Sequence, residues 1–154
     1  MAFQNSENSQ DGRAILLSIQ PRFSELIKNG TKHVEIRRTW PVTTVTSVVI
    51  YESAPTQKIV AMAIVSCVVQ KALRPLWEHS RGMGPGLTRD EFMEYLDGKS
   101  SGFAVTLTRV DVLEKPVSPA QIIKDFVAPQ SFRYLTVQEF AKASKIFERG
   151  GAAA

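Results

Sequence analysis

The stretch QPRFSELIKNGTKHVEIRR, residues 20–38, combines a predicted helix, a turn and a strand in immediate succession. Pro21 suits the first turn of a helix, where its missing N–H group is not needed for a backbone hydrogen bond. Apolar residues then recur at helical spacing and give the helix one apolar face: Phe23, Leu26 and Ile27. Gly30 ends this helix, because glycine adopts the left-handed conformation at little cost.

The segment that follows Gly30 alternates apolar and polar residues, which is typical of a strand. Val34 and Ile36 are expected on one side of this strand, and Glu35 and Arg37 on the other side. Lys32 stands at the junction between helix and strand. The pattern therefore predicts a cluster of three charges at one place in the fold. The functional hypothesis is a binding or catalytic site, and the structural alternative is an ion pair that joins strand and helix.

Composition places the chain among ordinary globular proteins, and its length suits one domain with a substantial core. The 154 residues are 44% apolar and 22% charged, with a net charge of +4 and a pI of about 9.4. No apolar run approaches the roughly 18 residues of a membrane span. A single cysteine, Cys67, excludes an intrachain disulfide and suits the cytoplasm, and we expect it to pack in the core. Neither a metal nor a cofactor is expected.

The order of elements predicts one domain over residues 13–149, with disordered tails at 1–12 and 150–154. Short strands alternate with short helices, and residues 58–70 are long enough to require a bent or bulged strand. Residues 74–98 form a helical insert, in which Thr88 and Glu91 have the spacing of a capping box. The predicted fold class is α+β: a small mixed-sheet β-barrel with flanking short helices.

The sequence resembles the ASCH domain family, a group of small β-barrels related to PUA domains. The resemblance rests on residues 16–38 and 49–55, on Trp77, and on residues 98–105 and 129–134, and it covers roughly residues 14–136. It implies a cleft for RNA or a nucleotide-like ligand beside the strand that follows Gly30. Some small members resemble amidohydrolases of N4-acetylcytidine, or nucleases. Lys32 matches the lysine of the amidohydrolases, but Glu35 stands where those members have a threonine.

The candidate site residues come from four places in the chain. Lys32 and Glu35 are the candidate catalytic residues, because a desolvated lysine can act as a nucleophile or base and a carboxylate can accept protons. The remaining candidates are expected to bind a ligand together with Lys32: Ser18, Arg37, Arg38, Tyr51, Ser53, Gln130, Ser131, Phe132 and Tyr134. Arginine is suited to phosphate and tyrosine to stacking on a base. For the aromatic residues, core packing is the alternative interpretation.

These observations favour a domain that binds RNA or a modified nucleotide and has a regulatory role in RNA metabolism. One alternative is a hydrolase in the same pocket, either an N4-acetylcytidine-type amidohydrolase or a ribonuclease. The other alternative is an interaction domain whose ion-pair cluster is structural. The expected partner is RNA or a nucleoside or nucleotide ligand, with no membrane and with cytoplasmic localisation.

Overall fold

The computed structural model describes residues 13–150, which form six strands, four helices and two short 3-10 turns. In chain order the elements are β1 (Arg13–Ile19), α1 (Pro21–Lys28), β2 (Val34–Arg37), β3 (Val45–Glu52), β4 (Lys58–Ala72), α2 (Leu73–Ser80), a 3-10 turn (Arg81–Met83), α3 (Arg89–Tyr95), β5 (Ser101–Val117), a second 3-10 turn (Pro119–Gln121), β6 (Phe132–Tyr134) and α4 (Val137–Gly150). The predicted tails at 1–12 and 151–154 lie outside the described residues, and Gly150 belongs to the last helix rather than to a tail.

The strands form one mixed sheet in the order β2-β5-β4-β3-β1-β6, in which β1 and β3 are parallel and the other neighbours are antiparallel. The mixed α+β prediction is therefore confirmed, but the barrel is not, since β2 and β6 remain the two edges. These edge strands have only four and three residues, which limits the backbone ladder that either can form. Side chains bridge the gap instead: Arg37 at the end of β2 donates to Ser131, directly before β6.

The local signals of the sequence predict most element boundaries. Pro21 opens α1, and the Thr88–Glu91 capping box opens α3 through two reciprocal hydrogen bonds. The prediction of a bulged long strand is confirmed, because the register of β4 against β5 shifts three times. Among the described residues, no helix is long and apolar enough to cross a membrane.

The prediction that Cys67 packs in the core is wrong, since Cys67 is exposed. Pairing of β3 with β4 ends at Ile64, and beyond this point β4 pairs with β5 alone. The second half of β4 is therefore an edge of the sheet, next to β5, which pairs with β2 on its other side. An apolar sequence run here is not evidence of burial, because among the described residues no strand pairs with the outer side of β4 beyond Ile64.

The apolar face of β2 packs against the helical insert, as the alternation of the sequence predicts. Val34 and Ile36 belong to a core cluster with Leu76 of α2 and Phe92 of α3. Trp77 packs against the same cluster, with its ring 5.2 Å from that of Phe92. Because strand side chains alternate, the polar face of β2 is turned away from this cluster and towards α1 and β1. This arrangement fixes where the charged residues of β2 meet the rest of the domain.

Candidate functional site

A cavity of about 450 Å³ lies where β1, β2 and β3 end, and it is large enough for a small organic ligand. We call it the Glu35 cavity. Its lining includes seven of the residues predicted from sequence: Ser18, Lys32, Glu35, Arg37, Tyr51, Ser53 and Gln130. Helix α1, the helical insert and residues 128–130 supply the remaining walls. The fold therefore brings together residues that are more than 110 positions apart in the chain.

Lys32 is the most deeply buried charge of this cavity, with only 2% of its surface exposed. Its ammonium group donates to the carbonyl oxygens of Val34 (2.7 Å) and Pro85, and it lies 3.3 Å from Glu35 Oε1. These three acceptors match the three N–H bonds of an ammonium group. Burial lowers the pKa of Lys32, although the negative charge of Glu35 opposes this effect. In this arrangement Lys32 anchors the wall of the cavity rather than presenting a free amine.

Glu35 and Arg37 lie on one face of β2, as their spacing predicts, and they pair at 3.0 Å. Arg37 also donates to the carbonyl oxygen of Ser18 at 3.2 Å and to the hydroxyl of Ser131 at 2.8 Å. Ser131 therefore positions Arg37 and is not itself part of the cavity lining. Ser18 in turn donates to the Pro129 carbonyl oxygen at 2.7 Å, which ties β1 to the wall formed by residues 128–130.

The charges of this cluster do not cancel. Lys32 and Arg37 contribute two positive charges and Glu35 contributes one negative charge, and all three are buried. The wall of the cavity therefore carries an excess of one positive charge. Electrostatic attraction is stronger in a site that water only partly fills than at the surface. The arrangement consequently favours an anionic ligand such as a phosphate ester.

Another part of the cavity lining consists of polar side chains. The side chains of Tyr51, Ser53, Gln57 and Gln130 line the cavity, and none of them hydrogen-bonds to another residue in 13–150. The ring of Tyr51 is held in place by that of Phe126, at 5.2 Å between ring centres. These four groups could recognise the edge of a base or the hydroxyl groups of a ribose.

Besides Ser131, three residues predicted to bind the ligand lie outside the Glu35 cavity: Arg38, Phe132 and Tyr134. Arg38 follows Arg37 at the end of β2 and donates instead to the carbonyl oxygens of Tyr95 (2.7 Å) and Asp97 (3.0 Å). Phe132 and Tyr134 pack edge to face on the main core cluster, with ring centres 5.7 Å apart. The core-packing alternative describes these two aromatic residues.

Sequence reasoning missed several lining residues, among them Gln57, Leu87 and Tyr95. Gln57 follows the turn after β3 and has a positive φ of 52°, and the turn signal Ala54-Pro55 marks its position in the sequence. Leu87 and Tyr95 belong to the helical insert, whose helix is predictable from the capping box. The place where the insert docks has no local sequence signal.

The insert forms one wall of the Glu35 cavity and is held there by polar contacts. His33 N donates to the Met83 carbonyl oxygen at 2.9 Å, beside the contact between Lys32 and Pro85. Arg22 of α1 forms two hydrogen bonds with the Glu91 carboxylate, at 2.8 and 3.0 Å. Arg22 also holds the pKa of Glu91 at about 2. These contacts connect the insert to both ends of the helix-turn-strand unit.

In sequence and in fold the chain resembles ASCH domain proteins. It is 26% identical over 139 residues to an "ASCH domain-containing ribonuclease" of Zymomonas mobilis, covering 86% of this chain and 90% of the relative. No family model matches the chain.

Solved structures share this fold. The crystal structure of ASCH from Zymomonas mobilis superimposes with a TM-score of 0.79 at 25% identity, covering 87% of this chain and 95% of that one. A serine-to-alanine mutant of that protein gives a TM-score of 0.80 at 24% identity, with coverages of 88% and 97%. A hypothetical protein from Leishmania major shares the fold at a TM-score of 0.57 and 13% identity, over 92% of this chain and 98% of that one.

Proposed function

We propose that this ASCH-like domain binds RNA or a modified nucleotide in the Glu35 cavity and acts in RNA metabolism. The observation that carries the proposal is the pairing of two walls. One wall holds a buried cluster with a positive excess, and the other presents polar side chains that make no hydrogen bond within residues 13–150. The name of the Zymomonas mobilis relative, a ribonuclease, supports RNA as the substrate class.

In this proposal the two walls contact different parts of the nucleotide. The phosphate lies towards Arg37 and Lys32, which attract it even though their N–H groups are already bonded within the protein. The base lies beside Tyr51, which lines the cavity although it is only 3% exposed and belongs to a core cluster, and Gln130 and Ser53 hydrogen-bond to the base edge. A cavity of this size accepts a single unit, so the base must leave its stack to enter. Single-stranded RNA therefore suits the site better than a duplex.

A ribonuclease activity is the second candidate, and the Glu35–Arg37 pair favours it. In the proposed reaction a ribose 2′-oxygen bonds to the adjacent phosphorus while Glu35 takes the 2′-hydroxyl proton. The bond from phosphorus to the 5′-oxygen breaks, and Tyr51 gives its hydroxyl proton to that oxygen. The products are a 2′,3′-cyclic phosphate and a free 5′-hydroxyl. Arg37 stabilises the negative charge that develops on the phosphate oxygens.

The other two interpretations have less support. An amidohydrolase needs a free Lys32 amine as its active group, whereas three acceptors surround the ammonium group here. Incubation with N4-acetylcytidine, repeated with Lys32→Ala, tests that activity. A purely structural ion-pair cluster does not account for the cavity beside it or for its unpartnered polar side chains. Cytoplasmic localisation remains part of the proposal and is tested by cell fractionation.

Binding is tested with a fluorescently labelled single-stranded RNA, by fluorescence polarisation at several salt concentrations. We expect affinity to fall steeply with salt, because binding to phosphates releases counterions. Ser53→Ala and Gln130→Ala should weaken binding severalfold, and Lys142→Gln, which removes one exposed charge on α4, serves as the control. Absence of binding at low salt, or equal binding by all variants, would contradict the proposal.

The ribonuclease activity requires a separate assay in which product ends are identified. We expect a 2′,3′-cyclic phosphate end from the wild type and a loss of cleavage of at least 100-fold in Glu35→Gln, the range assigned to general acid–base catalysis. RNA binding by Glu35→Gln should persist, because the substitution makes the cavity wall more positive. Cleavage that survives Glu35→Gln would remove the assigned mechanism but leave the binding function intact.

A further inference from the structure

A second cavity of about 310 Å³ lies beside the first, at the end of β2. We call it the Trp40 cavity. Its lining is rich in polar and aromatic side chains: Arg38, Thr39, Trp40, Gln70, Lys99, Ser100, Ser101 and Phe103. We propose that the Trp40 cavity binds the neighbouring nucleotide of the RNA strand whose first unit occupies the Glu35 cavity. This inference rests on the proposed function and extends it from one nucleotide to two.

The two cavities have no lining residue in common, but residues adjacent in the chain line them, so they lie next to each other, as a continuous RNA strand requires. Arg37 lines the Glu35 cavity and the next residue, Arg38, lines the Trp40 cavity. Tyr95 lines the first cavity, and its carbonyl oxygen accepts a hydrogen bond from Arg38 at 2.7 Å. Arg37, the last residue of β2, and Arg38, which follows it, thus line two neighbouring cavities. A phosphate that links two nucleotides can lie between the two arginines.

The charges of the Trp40 cavity suit such a phosphate. Arg38 is fixed by two carbonyl oxygens at the end of α3, and both of these bonds use the same nitrogen, Nη1. Its Nη2 and Nε groups make no hydrogen bond to any residue in the described part of the chain. Lys99 also lines the cavity and lies within salt-bridge distance of no described carboxylate. Two positive charges are therefore available to an incoming anion, and Arg38 is already held in position.

The aromatic residues supply a surface for a base. Trp40 and Phe103 line the Trp40 cavity and are only half-buried. Trp40 packs against the main core cluster and is still partly exposed. Gln70 and Ser101 hydrogen-bond to each other at 3.1 Å on the same wall and offer polar groups to the base edge. Positive charge combined with a fixed aromatic ring is the usual composition of a single-strand binding surface.

The inference is tested by the dependence of affinity on the length of the ligand. Isothermal titration calorimetry compares uridylates and adenylates of one, two and three nucleotides, carrying 2′-O-methyl groups so that they are not cleaved. We expect affinity to rise about tenfold or more from one nucleotide to two. Arg38→Gln and Lys99→Gln should remove most of this increase and leave the affinity for the mononucleotide unchanged. Lys142→Gln, with the same loss of charge on α4, should behave as the wild type.

A second measurement reports on Trp40 directly. The chain has two tryptophans, Trp40 and Trp77, so that Trp77→Phe leaves Trp40 as the single source of tryptophan fluorescence. A dinucleotide should quench this fluorescence by stacking, whereas a mononucleotide held in the Glu35 cavity should not. Arg38→Gln in the same background should shift the quenching curve to higher dinucleotide concentration.

The outcomes separate the two levels of the proposal. If no nucleotide of any length binds, the proposed function fails and the second subsite fails with it. If nucleotides bind but the affinities for one and two units are equal, the proposed function survives and the second subsite is overturned. An equal loss for both lengths in Arg38→Gln would also overturn the second subsite.

Discussion

The domain contains two buried carboxylates of nearly equal exposure, 5% for Glu35 and 6% for Glu52, and they have different surroundings. Glu35 lies between two cations, Lys32 and Arg37, and borders the Glu35 cavity. Glu52 accepts hydrogen bonds from the hydroxyls of Ser24 and Thr56 and pairs with Lys28 at 3.3 Å. Burial alone therefore does not distinguish a carboxylate that borders a cavity from one that only joins two elements.

Glu35 and Glu52 differ in the net charge of the groups around them and in the elements of the fold that those groups connect. The Glu52 cluster contains one carboxylate and a lysine that also pairs with Glu25, and it joins α1 to the end of β3. The cluster around Glu35 has an excess of positive charge and faces unpartnered polar groups. We infer that Glu52 holds the scaffold on which Ser53 and Gln57 reach the Glu35 cavity, whereas Glu35 acts inside it.

The largest effect should come from removing the buried cation. Lys32→Met leaves Glu35 with one cation fewer and the carbonyl oxygens of Val34 and Pro85 without a donor, which should cost about 3–5 kcal/mol of unfolding free energy. Lys28→Met is the matched control: its side chain is partly exposed, and we expect a loss of about 1 kcal/mol or less. Urea denaturation at pH 7 measures both. Equal losses would mean that the two clusters do not differ as described.

A glycine pair tests whether the Glu35 cluster depends on the insert. Gly84 has a φ of +65°, and a Cβ atom there would lie 2.0 Å from the Thr31 carbonyl oxygen, so Gly84→Ala should cost roughly 2 kcal/mol or more. Gly82→Ala meets no atom within 4 Å and should change stability by less than about 0.5 kcal/mol. Gly84→Ala should also displace the Pro85 carbonyl oxygen from Lys32 and weaken RNA binding. Tolerance of both substitutions would argue against a fixed insert.

The helix-turn-strand unit was predictable because its signals are local. Pro21, Gly30 and the alternation through Arg37 each act over a few residues, and they place the charges of β2 on one face. The open sheet and the position of Arg38 were not predictable in this way. They depend on where short edge strands and the insert meet, and Arg38 finds its partners 57 and 59 positions away.

Local sequence patterns are also a limited guide to burial. The run containing Cys67 has the composition of a core strand, but burial depends on whether other elements cover both faces. Phe132 and Tyr134 show the converse, since an irregular segment rich in polar groups places its aromatic residues on the core. Local patterns predict which residues share a face, whereas tertiary contacts decide what covers that face.

A smaller effect on stability is expected at acid pH, and it arises from Glu52 and its hydrogen-bond partners. Burial favours the neutral carboxyl, but the hydrogen bonds from Ser24 and Thr56 together with Lys28 outweigh it and lower the pKa of Glu52. A lowered pKa stabilises the fold above the unfolded value, near 4.5, and this contribution is lost as pH falls through the folded value. Glu52→Gln should therefore cost about 1 kcal/mol at pH 7, and this cost should shrink as the pH falls below 4.5 and through the folded pKa.

The control for this measurement is Glu114→Gln, at an exposed position of β5, which should not change the pH dependence of unfolding. Stability is followed by urea denaturation from pH 7 to pH 3. A constant difference between wild type and Glu52→Gln over this range would contradict the assigned charge state. A difference that grows as the pH falls would contradict its sign.

The smallest effect is expected at alkaline pH, where the contributions of Lys32 and Lys28 to the free energy of unfolding should change differently with pH. Burial lowers the pKa of Lys32, so the folded protein releases this proton before the unfolded chain does, and the contribution of Lys32 to stability rises as pH approaches 10.5. For Lys28, burial is outweighed by Glu25 and Glu52, and its pKa is raised; its contribution persists to pH 10.5 and declines above that value. The difference between wild type and Lys32→Met should therefore increase from pH 8 to pH 10.5, whereas the difference for Lys28→Met should stay level. Tyrosine titration is common to all three proteins and cancels in the differences. If these differences changed with pH in parallel for the two variants, Lys32 would be no more desolvated than Lys28. The Glu35 cavity would then lack the desolvated, positive wall on which the proposed nucleotide site depends.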